Sequence, residues 1–349
     1  MILRTTRFRG AAVSLLILAA SLATLALILT ASGYDAGLAL GALWHGSFGS
    51  FDAFASGTLV RAIPLILIGL GFALALRGGM LNIGAEGQFL VGAMAAAWLG
   101  THLGGWPALA AIPATWLVAF AAGMLWILVP VVLRVRYGVL EVISTLLLNF
   151  VAEALVSFMV QGPLQERSGI YPQSDPIAEA ARLPLFPGTR LHLGIVVALV
   201  LAAGLWFFAA RTLAGFRLLA AGSGPRAAQL IGRIDVTRTA AIALLVSGGL
   251  AGLAGAAEVG GVSYALYVNL SPGYGFTAIA VALLARLHPA GIVATGIDFG
   301  ALETGAGAMQ RDAGIPAVIV YVVEAVVILA LLLADARARK VRPFAGAAA

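Results

Sequence analysis

The chain has 349 residues, of which 61% are hydrophobic and only 10% charged, with a formal charge of +6 and no cysteine. A soluble domain carries about a quarter charged residues, so this composition, with a mean hydropathy of +1.02, defines a polytopic membrane protein. The missing cysteines exclude a disulfide framework, thiol catalysis and cysteine-ligated metal, and the basic residues fall in short clusters rather than on a nucleic-acid-binding face.

Apolar segments of near-spanning length occur at about residues 11–31, 59–76, 80–100, 107–133, 138–161, 193–210, 239–258, 275–285, 289–305 and 315–334. The expected fold is all-α: a single transmembrane domain over residues 1–349, built as a bundle of about ten segments, some short or interrupted. Residues 11–31, preceded by Arg4, Arg7 and Arg9, read as an uncleaved anchor helix. Their apolar core of about 20 residues exceeds the 7 to 15 of a signal-peptide core. With both termini in the cytoplasm, 16 of the 21 basic residues lie on the cytoplasmic side and 5 (Arg61, Arg167, Arg182, Arg190 and Arg311) on the other. That bias is the expected orientation signal.

Residues 162–192 carry five prolines among mixed charges and read as an ordered external loop. Residues 211–238 form the long cytoplasmic connection. Within it GSGPRAAQLIGR, residues 222–233, opens on a Gly-Ser-Gly turn, places Pro225 at a first helical position and continues in helix formers, which predicts a short helix outside the membrane. The pair of segments around Arg286 resembles the pair around Arg77 in pattern, a weak sign of an internal repeat.

Polar residues inside the spans mark where function is sought. In RGGMLNIGAEGQFLVGAMAAAWLG, residues 77–100, Asn82 and Glu86 share a helix face while Gln88 lies about 200° from Glu86, so the three do not line one cavity. Two roles fit them: a helix cap and interhelical lock, or the lining of a transport path. Glu141, Thr145, Asn149, Glu153 and Ser157 recur every four residues, a stripe drifting about 40° per step that must face protein or water. Gly248, Gly252, Ala256 and Gly260 form a small-residue ridge that predicts close helix contact.

No phosphate-binding loop is present, the only lysine is Lys340, and His45, His102, His192 and His288 have no metal-ligand spacing. No cofactor is expected on this chain. From these residues alone a solute transporter is favoured over an intramembrane enzyme, with ion-coupled and ATP-coupled transport both open.

Five stretches carry a resemblance: GGMLNIGAEGQFLVGA, EVISTLLLNFVAEALVSFMVQGPLQERSG, GSGPRAAQLIGR, SGGLAGLAGAAEVGG and GYGFTAIAVALLARLHPAGIV. In this order, over about residues 58–335, they resemble the permease subunit of bacterial ABC importers, of the nucleoside and simple-sugar type that works with a basic-membrane-lipoprotein-type binding protein. The resemblance implies a multi-pass inner-membrane subunit paired with a second, often non-identical permease. It also implies a separate ATPase that binds ATP and magnesium, and an external lipoprotein that delivers a small-molecule solute. Gly224, Arg226, Ala227, Ala228, Gly232 and Arg233 would form the coupling helix that docks in the ATPase. Asn82, Glu86, Gln88, Thr145, Asn149 and Glu153 would be the candidates for the solute pathway.

Overall fold

The computed structural model describes residues 25–316 together with residues 23, 318, 319 and 322. The anchor expected at 11–31 and the span expected at 315–334 therefore lie largely outside the described residues. Among those described the structure is helical, and the β-type pairings are two isolated bridges, Gln173 with Tyr267 and Leu185 with His192.

The contacts divide the chain into two units. In the smaller, Met1–Phe54 with Ala301–Ala349, α1 (Ala36–Phe48) is capped by Asp35, whose carboxylate accepts the Leu38 N–H at 3.0 Å. Leu25, Leu29, Leu43 and Met309 form its core. No span was expected at α1.

The larger unit, Ala55–Gly300, holds most of the expected spans. Following a π-helical entry at Ala53–Leu59, they are α2 (Val60–Arg77), α3 (Ala85–Thr101), α4 (Ala108–Tyr137), α5 (Glu141–Val160) and α6 (Gly194–Arg211). A connection carrying α7 (Leu213–Ser223) and α8 (Pro225–Leu230) leads to α9 (Val236–Glu258), which runs into a π-helical stretch at Val259–Ser263. Next come α10 (Tyr274–Leu284) and α11 (Pro289–Ala313), whose last residues belong to the smaller unit. Among the described residues, five helices are long and apolar enough to cross a membrane: α2 and α9 with their π-helical ends, and α4, α5 and α6. α2 and α9 are buried over most of their length, whereas α4, α5 and α6 expose apolar flanks suited to lipid.

Large side chains such as Phe72 and Phe89 fill part of the core, and α9 packs on α3 and α4 by close backbone approach at small residues. A Cβ on Gly248 would lie 2.7 Å from the Gly123 carbonyl oxygen, and Gly252 and Gly255 press equally close to the backbones of α4 and α3. Ala256 continues this face against Ala96 and Ala119, and Gly260 reaches Leu183 of the 162–192 loop. Inside lipid, where burial of apolar surface drives little association, such contact between small residues is the main source of helix packing.

The 162–192 loop is ordered by backbone bonds to helix ends: Ala178 N–H to Gly100 O, Ile177 N–H to Tyr264 O and Leu183 N–H to Gly260 O. At its rim the Ser168 hydroxyl and Gln173 amide donate to Glu166 and hold its carboxyl below the usual range. At its far end the His192 ring is wedged between Gly194 and Gly261, with Nδ1 accepting the Gly194 N–H at 3.2 Å. Burial pushes that imidazole down to about 4.

Candidate functional site

The polar string after Arg77 does not start a helix at residue 80. Residues 78–84 form a loop, turned by Gly79 at φ 86°, and α3 begins at Ala85 with Gly84 as its cap. No side chain of the loop caps α3 directly. The first turn is satisfied from another helix, since the side-chain Oδ1 of Asn149 on α5 accepts the Gly87 N–H at 2.9 Å and its Nδ2 donates to Ile83 O at 3.0 Å.

Asn82 lies upstream of the helix and is wholly buried, as is Gln88. Their amides pair reciprocally, Asn82 Nδ2 to Gln88 Oε1 at 2.8 Å and Gln88 Nε2 to Asn82 Oδ1 at 3.0 Å. Asn82 also donates to Ser247 Oγ on α9 at 2.9 Å and accepts the Gly84 N–H at 3.1 Å. This closed set leaves little unmet polarity in a region where an unpaired amide would cost several kcal/mol.

Glu86 points to another partner. Its carboxylate accepts the Gly275 N–H in the first turn of α10 at 2.7 Å and is bonded by the Ser271 hydroxyl. The carboxyl group thus sits where the N-termini of α3 and α10 meet. Gly275 has to be glycine, because a Cβ there would overlap the Glu86 backbone. At the other end of the loop, Glu141 accepts the Leu81 N–H at 3.4 Å and pairs with Arg134 Nε at 3.2 Å.

The stripe on α5 behaves as its drift requires. Glu141, Thr145 and Asn149 are buried, Asn149 against α3, while Glu153 has rotated onto the exposed surface of the subunit. Glu153 lies about 18 Å along α5 from Glu141, well within a hydrocarbon core about 30 Å thick. A carboxylate exposed at that depth needs water, a solute or a partner subunit rather than lipid.

The second candidate site is the connection 212–235. Two helices occupy it where one was expected, with Pro225 at the first position of α8. Gly222, near the end of α7, lies on the turn after α2: a Cβ there would overlap the Arg77 carbonyl oxygen and stand 2.9 Å from Gly79 N. Of the residues named from the sequence, Ala228 is buried, Gly224 is partly covered, and Arg226, Ala227, Gly232 and Arg233 are exposed. The most prominent side chains are two that sequence reasoning passed over, Leu230 at 81% and Ile231 at 86% exposure. The signal for them was present: two adjacent bulky apolar residues at the end of a short helix predicted to lie outside the membrane.

Among the described residues, no group of three or more His, Cys, Asp or Glu is arranged to hold a metal. An apolar helical bundle with a buried polar lock and exposed apolar flanks defines an integral membrane protein. The chain belongs to the family described as branched-chain amino acid transport system permease component, whose profile matches residues 54–333. It is 38% identical over 322 residues to the guanosine ABC transporter permease of Bacillus subtilis, covering 91% of each chain. It is 38% identical to the glucose ABC transporter permease of Haloferax volcanii, over 79% of this chain and 75% of that one. The nucleoside ABC transporter permease of Lactococcus lactis is 32% identical, with 87% of this chain and 85% of that protein covered. Membership decides against a stand-alone ion-coupled carrier: the chain is a membrane-embedded transport subunit of the ABC type.

Proposed function

We propose that this chain is one of two permease subunits of an ATP-driven importer for nucleosides or a related sugar-containing solute, with a separate ATPase binding ATP and magnesium. The names of its relatives support the solute class, since guanosine, nucleoside and glucose permeases are all similar over most of the chain. Bacillus subtilis, Lactococcus lactis and Haloferax volcanii each also have a second, more distant relative, at 28%, 27% and 29% identity. That pattern supports a non-identical second permease as partner. The excess of basic residues on one set of connections supports cytoplasmic termini and an inward-facing 211–238 segment.

The observation that carries the mechanism is the exposure of Leu230 and Ile231 on a short helix whose neighbour, Gly222, is seated on the Arg77–Gly79 turn. In this reading α8 is the coupling helix. Arg226, Ala227, Gly232 and Arg233 are the exposed residues in and just after it, Gly224 is its partly covered cap, Ala228 anchors it, and Leu230 and Ile231 enter a cleft of the ATPase. When the ATPase subunits close, α8 moves, Gly222 displaces the turn after α2, and the displacement reaches the loop holding Asn82. That loop borders the N-termini of α3 and α10, so their relative tilt changes with nucleotide state.

Glu153 faces the path between the two permeases and receives solute hydroxyls. Asn82, Glu86, Gln88, Thr145 and Asn149 hold the helix ends that border it. The 162–192 loop is the external surface on which a solute-binding lipoprotein of the basic-membrane type releases its cargo. Proteoliposomes holding both permeases and the ATPase, supplied with the binding protein, provide the test. ATP-dependent accumulation of labelled guanosine, competed by other nucleosides more strongly than by pentoses, is expected. Accumulation that follows an ion gradient and ignores ATP overturns the proposal.

A further inference from the structure

A cleft of about 750 Å³ opens between α2, α6, α7 and α9, beside the 212–235 connection. Its walls are apolar, with Leu70 and Leu74 from α2, Leu201 and Leu205 from α6, and Val246 and Leu250 from α9. Its mouth is cationic: Arg217, Arg233 and Arg238 line it with a single acid, Asp235. Asp235 is already engaged, accepting the Arg238 backbone N–H at 2.9 Å as the cap of α9. The three arginine side chains are exposed, and the ion pairs found among the described residues involve other residues.

The dimensions are those of one leaflet. From Arg238 to Leu250 the cleft follows α9 for about 18 Å, against roughly 15 Å for half of a hydrocarbon core about 30 Å thick. Gly204 on α6 lines the cleft, and a Cβ there would meet nothing within 4 Å, so a side chain has been omitted where space remains. α7 continues the boundary: its Leu213, Phe216 and Leu219 are exposed on the other side from buried Gly215 and Leu218, as in a helix lying at the membrane surface.

A neutral lipid would account for the walls and not for the arginines; a free anion would account for the arginines and not for the walls. We propose that this cleft is a binding site for an anionic phospholipid of the leaflet on the α8 side, its acyl chain along α9 and its phosphate on Arg217, Arg233 and Arg238. The lipid then contacts Gly232 and Arg233 directly and forms part of the bed on which α8 rests. Arg217 and Arg238 lie outside the surface assigned to the ATPase, so two of the three cationic contacts do not depend on what α8 docks with.

The test measures lipid retained by the purified full-length chain in neutral detergent, using phosphatidylglycerol, phosphatidylcholine of identical chains, and inorganic phosphate. An arginine near an anionic headgroup contributes about a fivefold factor. A net excess of two charges therefore predicts roughly a 25-fold preference for phosphatidylglycerol. The triple variant Arg217→Gln, Arg233→Gln, Arg238→Gln should lower phosphatidylglycerol binding to the phosphatidylcholine level. Gly204→Leu should abolish retention of both lipids while leaving the melting temperature unchanged, since the added side chain enters open space in a helix. Equal binding of the two lipids by the wild type, or a preference that survives both variants, overturns the proposal. So does phosphate displacing phosphatidylglycerol at millimolar concentration, which would reduce the site to an anion patch.

Discussion

Replacing Gly222 by alanine adds one methyl group and isolates the link between α7 and the turn after α2. The Cβ would overlap the Arg77 carbonyl oxygen and stand 2.9 Å from Gly79 N, so backbone must move on both sides. Overpacking of this kind costs about 1–3 kcal/mol, while Gly to Ala in a helix returns about 0.5–1 kcal/mol. The net cost, roughly 0–2.5 kcal/mol, is well below the 5–15 kcal/mol of a typical fold. The subunit should therefore insert and assemble normally, with α7 lifted from the turn. Gly41→Ala in α1, where a Cβ meets nothing within 4 Å, is the matched control. In proteoliposomes Gly222→Ala should lose most nucleoside uptake while ATP hydrolysis continues, and Gly41→Ala should transport normally. Full uptake by Gly222→Ala, or loss of uptake matched by loss of assembled protein, would refute the transmission route.

Other outcomes follow from the polar lock and the loop. Glu86→Gln keeps an acceptor for the Gly275 N–H and should preserve membrane abundance, whereas Glu86→Ala orphans that donor at a cost of about 1–3 kcal/mol and should lower the melting temperature. Glu153→Ala, at an exposed position, should leave stability unchanged yet slow uptake about tenfold, the equivalent of one charge-assisted hydrogen bond. His192 is depressed in the folded protein, so the unfolded chain binds the extra proton. Stability is then complete above about 6.5 and falls as pH drops to about 4, by roughly 3 kcal/mol in all. Melting of wild type and His192→Gln across that window checks it, and a variant curve that parallels wild type excludes His192 as the cause.

Helix existence was legible because spanning apolar runs and small-residue ridges are local signals: α2, α4, α5, α6 and α9 begin and end within a few residues of their expected limits. Pro225 at the start of α8 and the burial of Asn149 on the drifting stripe were legible for the same reason. What stayed hidden was pairing. Asn82 meets Ser247 across 165 residues and Glu86 meets Gly275 across 189, distances over which no periodicity carries information. Glu86 and Gln88, about 200° apart, do have different partners, but the helix face expected to be shared by Asn82 and Glu86 does not form, since Asn82 precedes the helix and pairs with Gln88. α3 starts later than its hydrophobicity implied because the apolar loop residues Met80, Leu81 and Ile83 read as helix, while the bonds of Asn82 and Asn149 favour a turn. α1 was missed because AGLALGALWHGSF is short and glycine-rich.

The central claim is that α8 is where the ATPase grips this permease. The absence of cysteine makes the direct measurement clean: Ile231→Cys introduces a lone thiol at one of the most exposed apolar positions. A heterobifunctional cross-linker on that thiol, applied to the assembled transporter, should capture the ATPase subunit with a yield that changes between nucleotide-free and ATP-bound states. The same thiol at Ile170, in the 162–192 loop proposed to face the opposite side, should not capture it. Cross-linking absent at Ile231, or present equally at Ile170, would contradict the account.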